Sequence, residues 1–277
     1  MSRITNTFER LAEEGRRALI MYLTVGFPER TSALDLVPRI VASGADMIEL
    51  GVPFSDPLAD GATVQRATQR ALLNGVGMAF CLQTARDLRA GGLEVPLLFM
   101  GYYNPIMQFG VERFCADAAA AGVDGLIVPD LPPEESYELH AACKAYGIDL
   151  IFFLAPTSTD TRMHEVARLA SGFIYCVSLT GTTGARSELA AELPHFLQRA
   201  KETTNTPLVV GFGISEPHHA QQIAALADGI VVGSALLNIV EAAAEHGPEQ
   251  VEAFVSSMRA GVDRARSPSP SSDQPRS

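Results

Sequence analysis

The stretch DMIELGVPFSDPLADG (46–61) reads as one short strand followed by a long loop. After Asp46, residues 47–52 form an apolar run interrupted by a single acid, Glu49. After it Pro53, Pro57 and Gly61 set turns. Working outward, seven more short apolar runs follow the same pattern: 18–25 (ALIMYLTV), 96–102 (PLLFMGY), 124–129 (DGLIVP), 149–155 (DLIFFLA), 173–179 (FIYCVSL), 207–213 (PLVVGFG) and 229–233 (GIVVG). Between them the apolar period lengthens to that of helices, as over 31–42, 111–121, 133–146, 161–170 and 188–203. Gly44, Gly122, Gly147 and Gly172 follow four of these segments, where a left-handed C-cap favours a residue without Cβ. Strand alternating with helix means a parallel sheet. Eight βα units in a chain of 277 residues predict a single closed (β/α)8 TIM barrel, since an open doubly wound sheet carries fewer strands and an early Gly-rich fingerprint.

The barrel domain is expected over 1–266. An extra N-terminal helix over 7–16, with Asn6 and Glu9 in capping-box spacing, would close the barrel bottom. The last residues, SPSPSSDQPRS (267–277), read as a disordered tail. The connections after strands two and six are longer than a barrel needs and are candidate lids, with an inserted helix as the alternative.

Composition narrows the function. Hydrophobic residues make up 47% and charged residues 19%, which excludes intrinsic disorder. The net charge of −11 predicts no general attraction to nucleic acid or to an anionic membrane, so a bound anion must be held locally. Cys81, Cys115, Cys143 and Cys176 have neither CxxC nor zinc-type spacing and read as reduced thiols of a cytoplasmic protein. No signal peptide or membrane-spanning run is evident. The six histidines form no metal motif, and no serine elbow, Walker loop or GxGxxG is present, so no metal or nucleotide cofactor is expected on this chain.

The chemistry concentrates at one end of the barrel. Period-two alternation places Glu49 on the face opposite Ile48 and Leu50, pointing into the barrel, where lost hydration raises a carboxyl's pKa toward the range of proton transfer. Asp56 and Asp60 lie in the loop above it, although Asp-Pro and Asp-Gly are also ordinary turn chemistry. Gly213 after strand seven, Gly233 and Ser234 after strand eight, and Thr183 and Gly184 after strand six fit a phosphate site built from backbone N–H groups and a helix N-terminus. Tyr22, Met100, Tyr102, Ile127, Phe153, Tyr175 and Phe212 are inward candidates that would form a flat apolar pocket suited to an aromatic ring.

The run IELGVPFSDPLADG (48–61) resembles the signature segment of the tryptophan synthase alpha chain family. Supporting segments are GYYNP (101–105), PDLP (129–132), APTS (155–158), TGTTGAR (180–186) and GFGIS (211–215). The resemblance covers residues 5–262. It implies a lyase without a cofactor of its own that splits indole-3-glycerol phosphate into indole and glyceraldehyde 3-phosphate. It further implies a complex, an alpha2beta2 tetramer, with a pyridoxal-phosphate beta chain that receives the indole. On matched positions Glu49 would be the acid/base, and Asp60 would stabilise charge at the indole nitrogen. Tyr175 would pack near Glu49, Phe212 would line the ring pocket, Thr183 would close the loop over the site, and Gly184, Gly213, Gly233 and Ser234 would hold the phosphate. Asp56 and Asn104 would face the beta chain. Tyr22, Ala62 and Pro129 depart from the family's frequent Phe, Pro and small residue. Another phosphate-binding barrel enzyme, or a docking subunit with little turnover, are the alternative readings.

Overall fold

The computed structural model describes residues 1–177, 185–211 and 213–265; the side chains of 185–191 and 244–246 lie outside that description. The elements in chain order are α1 (Arg3–Glu13), β1 (Ala18–Thr24), α2 (Ser32–Ala42), β2 (Met47–Gly51), α3 (Ala62–Leu73), α4 (Met78–Ala90), β3 (Leu97–Met100), α5 (Tyr103–Phe109) and α6 (Val111–Ala120). They continue with β4 (Gly125–Ile127), a 3-10 turn (Pro133–Glu135), α7 (Tyr137–Tyr146), β5 (Asp149–Leu154), α8 (Asp160–Leu169), β6 (Ile174–Val177), α9 (Ala185–Thr203), β7 (Leu208–Gly211), α10 (Pro217–Ala224), β8 (Gly229–Val232), α11 (Ser234–His246) and α12 (Glu249–Asp263). All eight strands pair in parallel, each with the next, and β8 closes on β1. The expected (β/α)8 barrel is the fold.

Closure explains the composition of the strands. Every residue of β1, β2, β7 and β8 is buried, because one face meets the barrel interior and the other the helix ring. At the N-terminal ends a polar clamp recurs on alternate strands. The carboxylates of Asp46, Asp124 and Asp228 each accept the backbone N–H of the preceding strand, from Leu19, Leu97 and Leu208 at 2.9 Å, and the Ser171 hydroxyl accepts that of Leu150 at 3.1 Å. Each clamp ties an even-numbered strand to the odd-numbered one before it and so holds the register of the pair. Asp46 is neutralised by Arg259 at 2.8 Å, and Asp124 by Arg89 at 2.6 Å and Arg3 at 2.8 Å.

Three details differ from the sequence reading. The first helix begins at Arg3 rather than residue 7, because the Ser2 hydroxyl accepts the Thr5 N–H at 3.1 Å and caps it earlier. The earlier start adds Ile4 to a buried stripe with Phe8 and Leu11, which packs under the barrel: Ile4 lies against Gly125 and Gly172, and the Phe8 ring sits 6.0 Å from that of Phe173. The long connection after β2 contains the helix α3, whose buried residues are the small Ala67, Thr68 and Ala71. The segment 133–146 divides at Ser136, whose hydroxyl donates to the Pro133 carbonyl at 2.8 Å. Gly44, Gly122, Gly147 and Gly172 all take positive φ, as expected. The loop at 178–184 and the tail at 267–277 lie outside the described residues. Among the described residues no helix is long and apolar enough to cross a membrane.

Candidate active site

Glu49 sits at the middle of β2, level with Tyr22 of β1 and Leu98 of β3. It is fully buried, and neither carboxylate oxygen has a hydrogen-bond partner among the described residues. Ile48 and Leu50, its neighbours on the other face, are also fully buried, as expected if they pack outward on the helices. Burial first, and then the charge of Asp60, push the Glu49 carboxyl up to about 8. The group therefore holds its proton at neutral pH, although it is an acid.

Asp60 comes from the loop between β2 and α3. Burial raises it to about 6, against the opposing effect of the Tyr102 hydroxyl. Tyr102 anchors this loop: its hydroxyl accepts the Ala59 N–H at 2.9 Å and its ring lies 5.5 Å from that of Phe54. The Gln65 side chain donates to the Asp60 carbonyl at 2.9 Å, fastening the loop to α3. The two acids thus face one cavity with different protonation states near pH 7, the arrangement in which one carboxyl can donate a proton while the other carries charge.

That cavity, about 730 Å³, opens at the C-terminal ends of the strands. Its walls include Tyr22, Glu49, Asp60, Met100, Phe153, Tyr175, Gly213, Gly233 and Ser234, so nine of the residues singled out in the sequence meet there. The Phe153 and Tyr175 rings are 5.0 Å apart and form an aromatic wall. Two glycines make room for the tyrosines. A Cβ on Gly51 would lie 2.1 Å from the Tyr22 hydroxyl, and one on Gly211 would lie 2.2 Å from that of Tyr175. Both phenols are pushed far above their ordinary pKa, mainly by burial, so they stay neutral. Tyr22 also exchanges a hydrogen bond with Thr24 at 3.2 Å.

Two expected wall residues stand elsewhere. Tyr102 is behind the Asp60 loop rather than on the cavity surface, and Ile127 is fully buried in β4. Thr183, Gly184 and Phe212 lie outside the described residues. Asp56, on the loop after β2, and Asn104, in the first turn of α5, are exposed, close in sequence to the exposed apolar side chains of Leu58 and Met107. Pro129, Ile214 and Ser215, which the sequence offered as members of the PDLP and GFGIS segments, also stand in the walls, together with Asn238, which sequence reading missed. Asn238 could have been found by its spacing of one helical turn from Ser234. Among the described residues no group of three or more His, Cys, Asp or Glu side chains is placed to hold a metal ion.

Comparison with known proteins points in one direction. A family model for the tryptophan synthase alpha chain matches residues 8–264. The chain is similar to the tryptophan synthase alpha chain of Roseiflexus sp. (strain RS-1), at 56% identity over 261 residues, 94% of this chain and 100% of that one. It is 49% identical to that of Geobacter sulfurreducens over 95% of this chain and 99% of the relative. The crystal structure of tryptophan synthase subunit alpha from Legionella pneumophila str. Paris matches with a TM-score of 0.88 at 37% identity, covering 95% of this chain and 99% of that one.

Proposed function

The chain belongs to the tryptophan synthase alpha chain family and cleaves indole-3-glycerol phosphate to indole and glyceraldehyde 3-phosphate, and from that premise we propose that Glu49 and Asp60 divide the work of the cleavage. One observation carries this reading: a fully buried carboxyl, without a hydrogen-bond partner among the described residues, faces a second, ionisable carboxyl across an aromatic-walled cavity.

The bond to be broken joins indole C3 to a hydroxyl-bearing carbon of the glycerol chain. Protonated Glu49 delivers its proton to indole C3, and the ring becomes an indoleninium with positive charge on its nitrogen. Ionised Asp60 stabilises that charge, which exists only after proton transfer, so its contribution favours the transition state over the bound substrate. The side-chain hydroxyl then gives up its proton to the Glu49 carboxylate and becomes the aldehyde. The C–C bonding pair returns to the ring as aromatic indole. Glu49 ends as it began, and no external acid, base or oxidant enters the balance.

The aromatic pair Phe153 and Tyr175, with Tyr22 opposite, supplies apolar surface for the ring. Gly213, Gly233 and Ser234, at the start of α11, supply N–H groups for the phosphate, and Thr183, Gly184 and Phe212 are assigned to closure, phosphate and ring by their motif positions. Asp56 and Asn104, with Leu58 and Met107 beside them, form a mixed polar and apolar edge at the mouth that suits docking of a beta chain, within an alpha2beta2 tetramer that receives the indole. A cytoplasmic setting agrees with the four buried free cysteines.

The test is indole release from indole-3-glycerol phosphate by the purified chain, with and without its cognate beta chain. Slow release that rises steeply with the partner is expected. Absence of release under both conditions overturns the proposal.

A further inference from the structure

The phosphate end of the cavity is short of positive charge. Its described walls hold two carboxyl groups, Glu49 and Asp60, and no Lys, Arg or His. A phosphate dianion at Gly213, Gly233 and Ser234 would be held by backbone N–H groups and the N-terminus of α11, equivalent to about half a unit charge, in a chain of net charge −11.

The wall continues one turn along α11 with Asn238, four residues after Ser234 and therefore on the same helix face. The Asn238 carboxamide oxygen accepts from Nη2 of Arg66, on α3, at 3.4 Å. The same nitrogen stands 3.5 Å from the Glu241 carboxylate, so the guanidinium ties α3 to the neighbouring α11. A carboxamide is planar, with oxygen and nitrogen on opposite sides. Because the oxygen is turned to Arg66, the two amide N–H donors are turned away from it, and among the described residues they have no acceptor.

We propose that Asn238 is a further substrate-binding residue, donating an amide N–H to the phosphate of the substrate, and that Arg66 is the positioning residue that orients it. The inference rests on the phosphate assignment made above and deepens it. Arg66 is about half exposed, so water screens its charge, and orientation of Asn238 is its larger contribution.

The experiment uses the full chain with its cognate beta chain, as wild type, Arg66→Gln, Asn238→Ala and the double variant. Cleavage of indole-3-glycerol phosphate is measured with inorganic phosphate as competitor. Each single substitution is expected to raise KM and the inhibition constant of phosphate by about 3- to 10-fold, the loss sitting in KM rather than in kcat. The double variant should match Asn238→Ala within about twofold, because Arg66 acts through the amide. In the reverse condensation of indole with unphosphorylated glyceraldehyde the losses should shrink toward nothing, which a merely structural role would not produce. Unchanged KM and phosphate inhibition in both single variants, or equal losses with glyceraldehyde, overturn the inference. If wild type is not inhibited by phosphate, the phosphate assignment itself fails and this inference falls with it. If wild type is inhibited and the variants match it, only the roles of Asn238 and Arg66 fall.

Discussion

Replacing Glu49 by Gln separates the catalytic consequence of one buried carboxyl from its energetic one. In the folded chain this group titrates near 8, and without the protein around it near 4.5. Between those two values the folded state keeps a proton that the unfolded chain has released. Stability therefore falls as pH rises, by about 1.4 kcal/mol per pH unit. The sign follows from the elevated pKa: the contribution is fully present below pH 4.5, is lost through the interval, and levels off above pH 8 at a loss of about 5 kcal/mol. Gln has the same shape and is neutral throughout, so it escapes this loss. Relative to wild type, Glu49→Gln should gain about 1 kcal/mol at pH 5.5 and about 4 kcal/mol at pH 7.5. Urea denaturation of both proteins at these two pH values, followed by circular dichroism, reads the difference directly. Turnover of the same variant should fall by about 10² to 10⁴, because the amide has no proton to give to indole C3. A stability difference that stays flat between the two pH values would refute the buried, unpartnered state of Glu49. Near-normal cleavage would refute its role.

The pH dependence of kcat/KM should be bell-shaped, falling below about 6 as Asp60 gains a proton and above about 8 as Glu49 loses one. Asp60→Asn should lower the rate by about 10² to 10³ and also move the basic limb downward, since the Asp60 charge helps to raise Glu49; an unmoved limb in a pH–rate series counts against the coupling. Gly211→Ala places a methyl 2.2 Å from the Tyr175 hydroxyl, so it should destabilise the fold by about 1 to 3 kcal/mol and lower kcat, with wild-type thermal unfolding and kinetics as the contrary result. Asp124→Ala removes the clamp on Leu97 and the partner of Arg89 and Arg3 at the opposite end of the barrel. Urea titration should show a loss of about 3 to 5 kcal/mol, while the folded fraction keeps its kcat.

The strands were legible because a parallel barrel buries both of their faces, leaving short apolar runs, and glycine marked the ends of the helices between them. Helix α3 was harder to see, because its apolar stripe is made of Ala67 and Ala71, too small to stand out from Thr, Gln and Arg around them. The start of α1 was misplaced because the competing caps, Ser2 and Asn6, are both good N-cap residues, and only docking of Ile4 under the barrel selects Ser2. The direction of Tyr102 was equally hidden. It leaves β3 at the point where alternation stops, and the loop at 52–61 captures its hydroxyl.

Sequence alone determined the eight-unit barrel, the inward face of Glu49 and the acids and glycines of the mouth, because these depend on period, residue type and order along the chain. Tertiary structure decided what those groups can do. Burial, with the charge of Asp60 nearby, keeps a proton on Glu49, and the Tyr102 anchor brings Asp60 to the same cavity from a separate loop. Helix spacing puts Asn238 beside Ser234, but only the packing of α3 against α11 joins it to Arg66, 172 residues away in the chain. Desolvation and proximity are properties of the folded space, and a linear order of residues does not contain them.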